Sequence, residues 1–251
     1  MAGGITAVFL QEPIPQDVEY HLFADGRSLF GLPNFCNVLS NLPFLLVGLL
    51  GIRATWGSVA PAVLEETRSA YAIFFLAVSL VGWGSSYYHL GPNNDTLVWD
   101  RLPMSIAFMA LFSIAIGEFV SPRLGRLALP AFLILGVFSV VHWQRTEAAG
   151  AGDLRLYALV QFLPLLIIPI LIAFFKASHA YTQATGYWQL LCAYIAAKVF
   201  EYFDAEIYSL GGFVSGHTLK HLSAACGVFL LLSALEHRRA SERITRSEPI
   251  G

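Results

Sequence analysis

Charge is scarce in this 251-residue chain: Asp, Glu, Lys and Arg together make up 13%, about half of what an ordinary soluble domain carries. That scarcity directs attention to the membrane before any other setting. The 15 Lys and Arg are scattered and the net charge is -2, so the concentrated basic surface needed to bind a nucleic-acid backbone is missing. Cysteine is scarce as well. Of Cys36, Cys192 and Cys226, the last two lie inside apolar runs, which argues against a disulfide framework or a thiolate metal cluster. Met1 to Leu10 has neither a basic n-region nor an adequate apolar h-region, so no cleaved signal peptide is expected and the first membrane helix should direct insertion.

Hydrophobic residues make up 56% of the chain, and they come in runs. Crossing ~30 Å of hydrocarbon takes about 20 mostly apolar residues. Seven runs qualify: Asn37 to Thr55, Ser69 to His89, Trp99 to Val120, Leu124 to His142, Arg155 to Phe175, Tyr187 to Tyr208 and Val214 to Glu236. The loops between them are short and leave no room for a second domain. The predicted fold is therefore all-α, an integral membrane bundle of seven transmembrane helices over residues 37–236. An extramembrane segment, 1–36, precedes it and a polar cytoplasmic tail, 237–251, follows.

With the N-terminus outside, the inner loops and tail hold Arg53, Arg68, Arg123, Arg126, Lys176, Arg238, Arg239, Arg243 and Arg246. The outer segments hold only Arg27, Arg101, Arg145, Arg155 and Lys220. Basic residues are retained on the cytoplasmic side, so the asymmetry favours N-terminus out and C-terminus in. The expected location is the cell membrane, the inner one if the cell is bacterial.

Ionisable groups within membrane helices are costly and tend to mark sites. Here they gather at one level. The second predicted helix ends in Gly84-Ser85-Ser86-Tyr87-Tyr88-His89, the third starts with Trp99-Asp100-Arg101, and the seventh with Ser215-Gly216-His217-Thr218-Leu219-Lys220-His221. Helix parity brings all three to the same face of the membrane, whichever way the bundle inserts. His217 and His221, four apart, project from one helical face one turn apart, a spacing that lets two imidazoles share a metal ion. His89 is the natural third ligand, and three protein ligands leave zinc a fourth position for water. Ser85 lies one turn before His89 on the same face, and Asp100 would accept a proton from the water.

Each residue alone has a plainer reading. A single His at a helix end is commonly interfacial, stacked histidines occur on surfaces, Ser85 could serve close helix packing, and Asp100 could cap its helix or pair with Arg101. His21, His142, His179 and His237 read as surface or interfacial. In the sixth helix, Lys198 and Glu201 are three apart and read as an intrahelical ion pair. Asp204, nearer the outer level, is a candidate to hydrogen-bond a ligand histidine.

The runs Gly82-Trp83-Gly84-Ser85-Ser86-Tyr87-Tyr88-His89, Asp100-Arg101-Leu102-Pro103-Met104 and His217-Thr218-Leu219-Lys220-His221, with Asn37-Val38-Leu39-Ser40-Asn41, resemble the alkaline ceramidase family. That family falls within the seven-helix hydrolases that include the progestin and adiponectin receptors. The resemblance spans about Asn34 to Leu222. It implies that His89, His217 and His221 ligate zinc, that Asp100 positions or deprotonates the attacking water, and that Ser85 stabilises the oxyanion. It also implies cleavage of ceramide, or another N-acyl lipid from the membrane, to a sphingoid or other amine base and a fatty acid. Family members that bind calcium do so through acidic and amide residues before and at the start of the first helix. This chain offers Asp25, and Asn34 where a glutamate is usual, as candidate ligands, a thin set of two oxygen donors for an ion that takes six to eight, which argues against calcium regulation. The rival reading is a seven-helix receptor or transporter in which the histidines form a proton relay or a structural metal site.

Overall fold

The computed structural model describes residues 8–56, 63–175 and 184–247, with side chains through Arg238. Lys176 and His179 lie outside the described residues. The described chain is helical, with no strand among its described residues. The helices are α1 (Phe35–Trp56, interrupted at Ser40 and Asn41), α2 (Glu65–Leu90), α3 (Asn94–Phe119), α4 (Pro122–Ala148), α5 (Arg155–Phe174), α6 (Thr185–Tyr202), the short α7 (Asp204–Gly211) and α8 (Gly216–Ser247).

Local chemistry sets several of these limits. Glu65 and Glu66 open α2, where negative charge complements the helix dipole. Asn93 and Thr96 form a reciprocal capping box at the start of α3. Ser121 caps α4 immediately before Pro122, whose missing N–H costs nothing in the first turn. Gly212, with φ of 68°, adopts the left-handed conformation that stops α7.

Six helices, α1 to α5 and α8, are long and apolar enough to cross a membrane. The predicted sixth run, Tyr187 to Tyr208, differs from expectation because it breaks at Phe203 into α6 and α7. The break has a cause. Both carboxylate oxygens of Asp204 accept from backbone N–H groups outside its own helix, those of His217 (2.6 Å) and Ala24 (3.0 Å). Asp204 thus fastens the start of α8 and the N-terminal segment to one point.

The last helix also differs from expectation, running to Ser247 instead of ending at Glu236, so the segment 237–251 begins as a continuation of α8. Arg238 belongs to the bundle and not to a solvated tail: it is buried and donates to Glu118 on α3 at 2.8 Å. Glu118 also accepts from Tyr71 (2.6 Å) and Tyr187 (3.0 Å), linking α2, α3, α6 and α8 at the end of the bundle away from the histidines. A charge pair buried this deeply is tolerated only with such hydrogen bonds around it.

Neighbouring helices pack in the sequence α6, α8, α1, α2, α3, with α4 and α5 against α3. Among the described residues α5 and α6 barely touch, so the ring is open on that side. A groove lined by Phe162, Leu165, Tyr194 and Lys198 occupies the opening.

Residues 8–34 run across the end of the bundle where α2 finishes and α3 and α8 begin. Leu154 N–H donates to the Ile14 carbonyl and Gln16 N–H to Glu147. His21, read as a surface or interfacial residue, is a rivet of this strap, with ring nitrogens 2.8 Å from the Tyr88 hydroxyl and 2.9 Å from Asn94 Oδ1.

Candidate metal centre

His89 comes from the last turn of α2, and His217 and His221 from the first turns of α8. All three are buried, at 1%, 6% and 4% exposure. One ligand atom from each lies within 4.8 Å of those of the other two. The Nε2 atoms of His89 and His217 are 3.3 Å apart. Tetrahedral zinc with Zn–N bonds of about 2.0–2.1 Å holds its nitrogens roughly 3.3–3.4 Å from one another. The spacing therefore suits such an ion.

The rings are held from behind. Ser40 Oγ lies 2.8 Å from His221 Nδ1, which leaves that ring's Nε2 for the centre. Phe23 of the strap packs on His89 and His217 with ring centroids 4.6 and 4.5 Å away. Asp204 acts on His217 through the backbone N–H and not on an imidazole, so it positions the first turn of α8 instead of orienting a ring. The side chain that steadies one of the three imidazoles is instead Ser40.

Sequence reasoning passed over Ser40, although a signal existed. Asn37, Ser40 and Asn41 are polar at i, i+3 and i+4 in an otherwise apolar helix, one face of it. Asn37 Oδ1 accepts from Thr218 on α8. Phe23 left no such signal, because nothing local ties it to residues 66 and 194 positions away.

Ser85 and Asp100 are buried at 2% and 7% exposure. The Ser85 hydroxyl neighbours the Asp100 carboxylate, and both line one cavity with His221. Gly84 makes that meeting possible: a Cβ there would come within 1.9 Å of the Trp99 carbonyl oxygen, so only glycine lets α2 approach the start of α3 this closely. Ser86 points elsewhere and donates to the Val38 carbonyl on α1.

Asp25 and Asn34 hold different neighbours. Both Asp25 oxygens accept from the Arg27 guanidinium, at 2.8 and 2.7 Å. That guanidinium holds the Asp25 carboxyl below the usual carboxylate range. The Asn34 amide donates to the His89 carbonyl at 2.9 Å. Each is occupied in fastening the strap.

The cavity, of about 310 Å³, has two parts. Its polar end holds Ser85, Asp100, Arg101, Glu201, Lys220 and His221. The remainder runs along apolar side chains such as Phe74, Val78, Leu111 and Val228 towards Tyr187. Glu201 contacts Lys198, as expected, but is shared: Lys220 on α8 donates to it at 2.6 Å. Lys220, counted as an outer charge from sequence, thus belongs to the cavity wall.

No curated protein matches the chain. The ceramidase family model matches residues 32–250, which include the three histidines, Ser85, Asp100 and every helix around the cavity. The chain belongs to the ceramidase family.

Proposed function

We propose that this protein hydrolyses the amide bond of ceramide or a similar N-acyl lipid, with His89, His217 and His221 holding a catalytic zinc ion. The observation that carries the reading is that Ser85 and Asp100 share the polar end of an otherwise apolar cavity with His221, one of three convergent imidazoles. A zinc ion held there would supply Lewis acidity and lower the pKa of water to about 7.

The protein's own residues account for the rest. Asp100 takes a proton from the attacking water as its oxygen bonds to the carbonyl carbon. Ser85 donates to the carbonyl oxygen as negative charge builds on it. Asp100 then returns the proton to the nitrogen as the C–N bond breaks, leaving a free amine and a fatty acid. The apolar length of the cavity takes the acyl chain, and the gap between α5 and α6 admits lipid from the bilayer. A receptor or transporter with a structural zinc would call for four protein ligands and would leave Ser85 and Asp100 idle.

Ser85→Ala should lower single-turnover ceramide cleavage by about 10²-fold to 10³-fold, the range for losing one oxyanion donor, with zinc retained. Ser86→Ala, whose hydroxyl faces α1, is the control and should stay near wild type. Equal rates for the two variants would remove Ser85 from the reaction.

The bundle crosses the cell membrane seven times, α6 joining the six longer apolar helices as the sixth crossing in chain order, with the N-terminus out and the C-terminus in. In a bacterial cell this is the inner membrane. Arg101, Lys220 and Arg238 line the cavity or lie inside the bundle, and setting them aside still leaves the basic excess on the inner side. A cysteine placed after Arg246 should react with an impermeant label only from the cytoplasm. Labelling from outside would invert the topology.

Calcium has no part in this reading, since Arg27 already occupies the Asp25 carboxylate. Cleavage should be unchanged by a calcium-selective chelator, and a loss restored by added calcium would contradict it.

A further inference from the structure

The polar end of the cavity holds more positive charge than the proposed chemistry uses. Asp100 and Glu201 are its carboxylates and Arg101 and Lys220 its cations, with Lys198 beside Glu201 on the cavity wall. Lys198 and Lys220 share Glu201. Arg101 makes no ion pair within 4.0 Å among the described residues. It is only 5% exposed. One arm is used: Nη2 donates to Gln16 Oε1 at 2.6 Å. The other, Nη1, is buried and has no hydrogen-bond partner. Leaving a charged donor unsatisfied away from water is costly.

Arg101 is also fixed in place. Its guanidinium lies 4.2 Å from the Trp143 ring centre, 4.8 Å from that of Tyr157 and 5.6 Å from that of Tyr20. Such aromatic contacts hold a cation without neutralising it. A planar fork kept rigid on the cavity wall, with one buried arm lacking a partner, suits the oxygens of a carboxylate or phosphate.

Resting on the amidase reading above, we propose that the substrate is an N-acyl lipid with an anionic group on its amine half, a carboxylate or a phosphate, bound by Arg101. The amine half is specified by position. The apolar part of the cavity leads away towards Tyr187, so the acyl chain lies there. Arg101 follows Asp100 in the chain and meets the strap through Gln16 and Tyr20, at the opposite end. Lys220, already bonded to Glu201, adds its field and no further contact.

The test uses zinc-loaded full-length protein and four probes of equal acyl length: N-palmitoylserine, its methyl ester, ceramide and ceramide 1-phosphate. The kcat/KM for N-palmitoylserine should exceed that for its ester by about 10-fold to 100-fold, the worth of a charge-assisted hydrogen bond. Ceramide 1-phosphate against ceramide tells whether phosphate serves as well as carboxylate. In Arg101→Gln the acid-to-ester ratio should fall to within about 3-fold. Arg101→Lys, which keeps the charge but loses the fork, should retain only part of the preference and serves if the Gln variant does not fold.

Binding is read separately by tryptophan emission, using ketomethylene analogues of the acid and the ester, which contain no cleavable amide. The acid should bind more tightly by a similar factor. Cleavage of ceramide or the ester as fast as the acid, with equal binding of the two analogues, would overturn anion recognition and leave the amidase reading intact. Absence of all cleavage would overturn the amidase reading, and the two analogues would still decide whether Arg101 binds an anion.

Discussion

His217→Ala combined with His221→Ala should abolish bound zinc, and lipid-amide cleavage with it. The purified wild type should carry about one zinc per chain and the double variant essentially none. The expectation follows from the way the three rings are built in. His217 and His221 supply two of the three convergent nitrogens from a single helix face, so their loss leaves His89 alone against an ion that takes four ligands. The helix itself should survive, because alanine is a strong helix former and the start of α8 is fastened through the His217 backbone N–H, which the substitution keeps. Metal analysis beside a circular dichroism spectrum is the measurement. Full zinc in a folded double variant would remove the centre from these residues.

Asp100→Asn separates metal binding from chemistry. The substitution keeps the size and much of the hydrogen bonding but removes the basic oxygen. Zinc should be retained, since Asp100 is not among the three converging side chains. Cleavage should fall by about 10²-fold to 10⁴-fold, the usual contribution of a positioned proton acceptor. Single-turnover cleavage with zinc quantified in the same sample measures both. Near wild-type cleavage with zinc present would mean that the proton goes elsewhere.

What could be read in the sequence was whatever a short window or a helical repeat encodes. The apolar runs located six crossing-length helices, and the four-residue spacing put His217 and His221 on one face. His89 and Asp100 followed from parity, because consecutive membrane helices alternate direction.

What escaped was set by contacts between distant segments. The break at Phe203 depends on Asp204 meeting His217 and Ala24, and no window centred on 203 contains both. Arg238 looked like one more basic residue of a tail until Glu118, 120 positions earlier, was found against it. Arg101 and Lys220 counted as outer charges because they fall near helix ends. Their place on the cavity wall depends on the N-terminal strap and α6 closing over them. Ser40 is the intermediate case: its helical face could be read, but its partner could not.

The most direct test of the central claim is a zinc titration of lipid-amide cleavage. Wild-type protein is stripped of metal in detergent and supplied with increasing zinc, while released fatty acid and amine are both counted. Cleavage should be absent at the start, rise with added zinc, and level off near one ion per chain, with the two products in equal amounts. Undiminished cleavage by the stripped protein, or none at any zinc level with any N-acyl lipid, would contradict the account.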